Sequence, residues 1–305
     1  MLFSRRSAAQ VSPTMPVKIH ENQLLPWEFD QRDRILIIAP HPDDEVLSAG
    51  GVIATALKSH ISSNIRVIVA TNGDASYVSA FMHGSHNLGK NNFRSLAALR
   101  QQESQNAIAI LGLSAEQVRF WGFPDRGLAM LWQSQKKAQH PYYSPTTGFD
   151  HSAQALNSPI LSYTCDNLLE LFHKELREFC PTSIILPHPQ DAHSDHKALA
   201  EFTLIAVRHY LTQTYFQIPM LLTYRIWLQG KPWLTGIRLH HINQLLVKDE
   251  SLLMKIRCVM LTPEVREKKM RALQCYHSQK QAAGQVLRNA AQSGYEIFTL
   301  CDLAL

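Results

Sequence analysis

The chain is poor in several things at once. Its 305 residues hold only five cysteines, at positions 165, 180, 258, 275 and 301, with no C-x-x-C spacing. An odd, dispersed set of thiols disfavours a disulfide framework or a cysteine zinc knuckle, and it points to a reducing, cytoplasmic compartment. No apolar run approaches the ~20 residues of a transmembrane helix. The basic start at Arg5 and Arg6 leads into Ser-Ala-Ala-Gln rather than an apolar signal-peptide core, so no stable membrane insertion is expected. Charged residues make up 18% of the chain and apolar residues 45%, which excludes a disordered polyelectrolyte and leaves enough for a large core. No G-x-x-x-x-G-K-[ST] phosphate loop is present, and Gly50-Gly51 is expected instead to let a helix pack closely on a sheet.

Negative charge is scarce at one end. Residues 231–305 hold 11 Lys and Arg against 6 Asp and Glu, whereas the preceding 230 residues balance at 19 each, so this portion carries the whole net charge of +5. It lacks the interleaved aromatic and basic residues of a nucleic-acid platform, and nucleic acid is not an expected partner. Arg266, Lys268, Lys269 and Arg271 read as a solvated helix face; an anionic substrate or a membrane surface is the alternative partner for this charge.

What is present has a rhythm. Residues 1–33, with Pro13, Pro16 and Pro26, read as an irregular leader. From residue 34 onward, short apolar runs rich in β-branched residues alternate with helix-length amphipathic stretches. The runs are 34–39 (RILIIA), 65–71 (IRVIVAT), 118–122 (VRFWG) and 183–186 (SIIL); the stretches are 46–58, 93–111, 168–179 and 194–210. Runs apolar throughout predict strands covered on both faces. The alternation predicts a Rossmann-like, doubly wound α/β fold with a mostly parallel sheet and helices on both faces. Residues 34–305 are read as a single domain, with an insertion or long loop near 130–160. A further strand is expected over 220–228. Thr262-Pro263-Glu264 predicts a capped helix running to about Ala283.

In such folds ligands bind beyond the carboxyl ends of the strands, so the residues after each run matter most. These are His41-Pro42-Asp43-Asp44-Glu45, then Asn72-Gly73-Asp74, then Phe123-Pro124-Asp125-Arg126-Gly127, then His188 through His196. Every strand end carries a carboxylate, and two carry histidine. His41 and Asp44 are three apart on a Pro-stiffened turn. His193 and His196 are three apart where a helix begins. Imidazole and carboxylate suit a borderline divalent metal, and two His plus one Asp with an open position fits a catalytic zinc better than a closed structural one. Asp43 lies between the first pair and need not bind metal.

Together, Ala39-Pro40-His41-Pro42-Asp43-Asp44-Glu45 and His193-Ser194-Asp195-His196 resemble the motifs of the PIG-L/LmbE-like superfamily of zinc-dependent de-N-acetylases. The resemblance runs over about residues 34–210 and includes Arg100-Gln101-Gln102-Glu103 and Gly122-Phe123-Pro124-Asp125. A weaker likeness lies in Lys269, Ala272-Leu273 and Tyr276-His277-Ser278-Gln279. Ser194 stands where the family usually has proline, at a position that is not a ligand. The resemblance implies one Zn2+ per chain on His41, Asp44 and His196, with Asp43 as general base. It implies that His193, when protonated, stabilises the oxyanion or protonates the departing amine, and that Asp195 orients a histidine. It implies Arg100 and Asp125 as holders of sugar hydroxyls. The activity implied is hydrolysis of the N-acetyl amide of a GlcNAc-type glycoside, releasing acetate and a free amine. The alternatives are a zinc amidase for another small amide, such as a thiol conjugate, and an inactive sugar-binding relative. The partner expected is a small-molecule or glycoside substrate; homo-oligomerisation is left open.

Overall fold

The structure is a computed structural model and describes residues 25–59, 64–84, 88–134, 140–153, 159–213, 218–228, 231–232 and 256–303. Most of the expected leader, residues 1–24, lies outside the described residues, as do residues 135–139 and 154–158 of the expected loop. The strands are β1 (Leu25–Pro26), β2 (Ile35–Ala39), β3 (Ile65–Thr71), β4 (Val118–Phe123), β5 (Ser183–Pro187), β6 (Met220–Tyr224), β7 (Trp227–Leu228), β8 (Lys231–Pro232), β9 (Ile256–Met260) and β10 (Tyr295–Leu300). The helices are α1 (Asp44–Lys58), α2 (Tyr77–His83), α3 (Lys90–Leu111), α4 (Leu128–Gln133), α5 (Cys165–Phe179), α6 (Ser194–Gln213), α7 (Pro263–Leu273) and α8 (Lys280–Gln292). Among the described residues no helix is long and apolar enough to cross a membrane.

Eight strands form one sheet in the order β1-β9-β10-β6-β5-β2-β3-β4. From β6 to β4 every pairing is parallel, and β10 runs antiparallel between β6 and β9. The continuous apolar runs are explained by two cores. Ile35, Ile37 and Ala39 of β2 face one layer with α1, α3, α7 and α8, while Leu36 and Ile38 face the other with α4, α5 and α6. Side chains alternate across a strand, so a strand covered on both faces has no polar side to show. Chain order reverses at β2: β3 and β4 lie on one side of it, β5 and β6 on the other. The switch point therefore falls between β2 and β5, where a crevice opens in this class of sheet.

Four expectations are corrected. The end of the expected irregular leader belongs to the fold, since β1 pairs parallel with β9 and Trp27 is buried in the core. The strand foreseen over 220–228 ends at Tyr224, because the Asp191 carboxylate accepts the Ile226 and Trp227 N–H groups at 2.8 and 3.1 Å and draws the chain off the sheet. The helix after Thr262 is capped as foreseen by the Thr262 hydroxyl but stops at Leu273; a short 3-10 turn, His277–Gln279, separates it from α8. Lys269 is not on a solvated face. It is buried and ion-paired to Glu296 at 2.6 Å, and it donates to the Leu47 carbonyl at 3.0 Å. Gly51 shows why α1 needs glycine: a Cβ there would lie 2.4 Å from Leu261 and 2.9 Å from Glu296, whose carboxylate accepts the Gly51 N–H.

Candidate metal centre

The turn after β2 is shaped by its own polar groups. The Asp44 carboxylate accepts the His41 N–H at 3.0 Å, and Asp44 N–H donates to the His41 carbonyl. Asp43 takes an unusual backbone, φ 129° and ψ −32°, at the N-cap of α1. Such a conformation costs on the order of 1–3 kcal/mol in a non-glycine residue and persists only when its surroundings over-determine it. They do. The Glu45 carboxylate accepts the Asp43 N–H at 2.9 Å, and is itself held by the Tyr276 hydroxyl at 2.6 Å and by Ser104. After β5, the Asp191 carboxylate accepts the His193 N–H at 2.9 Å and starts α6.

These two turns meet. Asp44 Oδ2 lies 3.0 Å from His41 Nδ1 and 3.2 Å from His196 Nε2. The nitrogens of His41, His193 and His196 fall within 4.8 Å of one another, as do the ligand atoms of His41, Asp125 and Asp195. His41 Nε2 faces Asp125 Oδ1 at 3.3 Å and Asp195 Oδ2 at 3.4 Å; His196 Nδ1 faces Asp191 Oδ2 at 3.4 Å.

The residues fit a metal ion. His196 is fully buried, yet neither of its ring nitrogens makes an aligned hydrogen bond; its carboxylate contacts are at ion-pair distance only. Unmade hydrogen bonds on a buried imidazole are costly, and coordination would engage one of them. Ligand atoms 2.0–2.2 Å from a tetrahedral ion lie roughly 3.3–3.6 Å apart, close to the Asp44 separations. Two imidazoles and a carboxylate are an ordinary donor set for zinc, and the carboxylates behind each ring are the partners that orient metal-binding histidines.

The charges are arranged accordingly. Burial works to raise Asp44, but the His196 and His41 rings outweigh it and hold its carboxyl well below the usual range. Burial opposes charge on His196, yet Asp44 and Asp191 raise it to about 9; His41 is likewise raised well above its ordinary value, by Asp125, Asp195 and Asp44 against burial. Asp43 is pushed up to about 8 by burial, with Arg100 pulling it back and Asp44 and Glu45 pushing it further. His193 is driven down to about 3 by burial and by the neighbouring His41 and His196.

The eight candidate site residues come together at this crevice, and two of them make contacts that the sequence did not suggest. The Arg100 guanidinium is buried and donates to the carbonyls of Gly73 at 2.7 Å and Pro42 at 2.6 Å, with Asp43 Oδ2 at 3.3 Å. Asp125 has both oxygens engaged, one with His41 and the other accepting the Ala75 N–H at 2.9 Å. Both shape the site from within. Asp195 faces His41 and accepts the Arg126 N–H at 2.5 Å. Sequence reasoning assigned no role to Glu45 or Asp191. Both stand inside the quoted motifs, so the signal was there, but neither spacing says which side chain turns inward. Ser278 donates from its N–H and hydroxyl to Glu103 at 2.8 and 2.6 Å, which gives the weak Tyr276–Gln279 likeness a structural use.

The cleft above this cluster has a volume of about 170 Å³. Its floor is His41, Asp43, Asp44 and Asp125; its walls include Arg126, His193, Trp227 and α8 residues such as Val286.

Comparison with known proteins places the chain. The family model described as GlcNAc-PI de-N-acetylase, PIG-L, matches residues 36–207. Among solved structures, the N,N'-diacetylchitobiose deacetylase of Pyrococcus horikoshii is similar at 18% identity and TM-score 0.52, covering 90% of this chain and 88% of its own. The A40926 pseudoaglycone deacetylase Dbv21 is similar at 20% and 0.53, covering 90% and 99%. The 4-carboxy-2-hydroxymuconate hydratase GalB of Pseudomonas putida is similar at 15% and 0.50, covering 88% and 95%, so the fold alone does not fix the reaction. No curated protein sequence matches. With its motifs at the switch point of the sheet and the family model spanning more than half its length, the chain belongs to the PIG-L family of GlcNAc-PI de-N-acetylases.

Proposed function

We propose that the chain is a zinc-dependent hydrolase that cleaves the N-acetyl amide of a GlcNAc-type glycoside to acetate and a free amine. The observation that carries this reading is the juxtaposition of Asp43, strained and buried, with the His41–Asp44–His196 cluster at the floor of an open cleft. A site that only binds sugar needs neither a buried base nor a metal donor set.

His41, Asp44 and His196 would hold the ion. Zinc, when bound, would polarise the amide carbonyl and acidify water within its reach. Asp43 Oδ is the proton acceptor for the attacking water: the carboxyl raised to about 8 in the metal-free site would be ionised by a dication held beside it, and Arg100 pairs with it at 3.3 Å. His193 Nδ1 accepts the Asp195 N–H at 3.3 Å, so the neutral ring carries its proton on Nε2. Burial and the neighbouring His41 and His196 rings hold His193 toward its neutral form in the metal-free site. His193 would stabilise the developing oxyanion or protonate the departing amine, and the proton that Asp43 takes from water is the other one available to that nitrogen. Asp195, Asp125 and Asp191 orient the two ligand histidines.

Residues 34–305 are read as one domain because β9 and β10 extend the same sheet, and β1 at Leu25–Pro26 joins it by pairing with β9. The test is acetate release from a panel of N-acetylated glycosides and thiol-conjugate amides by metal-stripped and zinc-reloaded protein. Zinc-dependent acetate release from glycosides is expected. Release from the thiol conjugates alone would move the reading to the other amidase, and a zinc-loaded protein silent on the whole panel would overturn it.

A further inference from the structure

One cation in the cleft is held at a cost and has nothing of its own to bind. Arg126 follows Asp125 in a tight turn closed by Gly127 N–H to the Pro124 carbonyl at 3.0 Å. Its φ is +61°. That is the left-handed position of the turn, which glycine or asparagine ordinarily takes because a side chain there is strained. The chain has a glycine one residue later and places arginine in the strained position instead. The conformation is fixed from the metal cluster itself: Arg126 N–H donates at 2.5 Å to Oδ2 of the fully buried Asp195, which also faces His41.

The side chain that results lines the cleft beside His41 and His193 and is exposed. Among the described residues its guanidinium has no hydrogen bond, ion pair or ring contact. Arg100, the other arginine of the cleft, is the opposite case, buried and committed to two carbonyls and Asp43. The cleft floor carries the carboxylates of Asp43, Asp44 and Asp125. Those carboxylates are paired with His41, His196 and Arg100, so the floor is balanced within itself and the Arg126 guanidinium is left as positive charge facing the substrate.

We propose that Arg126 is a specificity-determining residue, and that it grips an anionic group, phosphate or carboxylate, carried by the N-acetylated glycoside. The proposal rests on the functional reading above and sharpens its substrate class. A guanidinium offers paired donors in a fixed fork that match the oxygens of either anion. The strain at Arg126 is retained because the turn aims that fork.

The test compares wild type with Arg126→Gly and Arg126→Gln on three acetamido sugars: neutral methyl N-acetylglucosaminide, its carboxymethyl counterpart and N-acetylglucosamine 1-phosphate. Wild type is expected to favour one or both anions in kcat/KM. The variants are expected to lower that preference roughly 10- to 100-fold through KM, the range for a lost charge-assisted hydrogen bond; which anion is affected identifies the source. Arg126→Gly relieves the backbone and should melt no lower than wild type, so a drop in preference cannot be ascribed to unfolding. Calorimetric binding of glucosamine 1-phosphate against glucosamine reads the same preference without any amide cleavage. A wild type that hydrolyses all three sugars alike and binds both amines alike overturns the proposal and leaves the proposed reaction standing. A phosphate preference in binding that Arg126→Gly abolishes, in a protein that cleaves no acetamide, upholds Arg126 and overturns the reaction instead.

Discussion

The parallel part of the sheet, β2 to β6 with its helices, and the C-terminal part, α7, α8, β9 and β10, contribute to one site in different ways. The parallel part supplies every group that would touch metal or substrate amide, each at the carboxyl end of a strand. The C-terminal part supplies supports. Tyr276 bonds Glu45, which bonds the Asp43 backbone; Ser278 bonds Glu103; and the Lys269–Glu296 pair is inserted into the hydrogen-bond ladder of α1. The family model stops at residue 207, before this part begins. The difference teaches that the reactive groups are carried by strand ends and local turns, whereas their precision depends on a distant segment that arrives last in the chain.

The strongest way to break this division is to remove ligands. His41→Ala, Asp44→Ala and His196→Ala are each expected to abolish zinc binding and bring acetate release to background, measured by metal analysis of the purified variants. Full zinc occupancy in all three would take the metal away from this cluster. Next in size is Asp43→Asn, which keeps shape and removes basicity. It should leave zinc bound while kcat falls by roughly 10²–10⁴, the usual span for a lost general base. If it loses zinc as readily as Asp44→Ala, base and ligand have been exchanged.

The supports should behave differently from one another. Tyr276→Phe takes one donor from Glu45 and loosens Asp43. We expect kcat to fall roughly tenfold, about 1.4 kcal/mol of barrier, with metal content unchanged. In an Asp43→Asn background the same change should add nothing, because a positioning effect acts only through the residue positioned. Additive losses would mean that Tyr276 serves the fold and not the base. Lys269→Met strands the buried Glu296 carboxylate and should cost about 3–5 kcal/mol in denaturant unfolding, while kcat of the folded fraction stays within a few-fold of wild type. A large kcat loss there would erase the distinction between support for the fold and support for Asp43.

The two parts were also unequally legible. Ile35–Ala39 and Ile65–Thr71 are apolar at every position or nearly so, as a strand between two helix layers must be, and their alternation with helix-length amphipathic stretches let the parallel core be read before any contact was known. His41, Asp44, His193 and His196 were legible because metal ligands need fixed short spacings on a turn or one helical turn. Arg100 was visible as a cation but not as a buried one: its partners are the carbonyls of Pro42 and Gly73, and backbone oxygens leave no mark in a sequence. Lys269 misled for a related reason. It sits among Arg266, Lys268 and Arg271, and only the approach of Glu296, 27 residues later, turns it from solvent. The break between α7 and α8 follows from Tyr276 reaching Glu45, a contact across 231 residues that no local propensity encodes.

The smallest effect expected concerns protons and tests whether the cluster waits for a cation. Without metal, His196 is raised to about 9, His41 is raised as well, and Asp43 and Asp74 are raised to about 8 and 7. Groups raised in the folded state bind more protons there than in the unfolded chain between their unfolded and folded values. Stability must then fall as pH rises through that interval. The groups held low, His193 at about 3 and His188 at about 4, act in the opposite sense but complete their titration by about pH 7.5, a unit above the unfolded value. Between about pH 7.5 and 9 the raised groups dominate, so metal-free protein should melt progressively lower across this window. A bound dication requires neutral imidazoles and displaces their protons. Zinc uptake at pH 7 should therefore release about two to three protons, from His41, His196 and Asp43, seen as a dependence of the calorimetric heat on buffer ionisation enthalpy. Zinc-loaded protein should hold a nearly level melting temperature over the same window. Zinc uptake without proton release, or an equally steep decline with zinc bound, would show that these histidines are not what the ion binds. The Asp44 contacts would then be an internal ion-pair network that supports the fold.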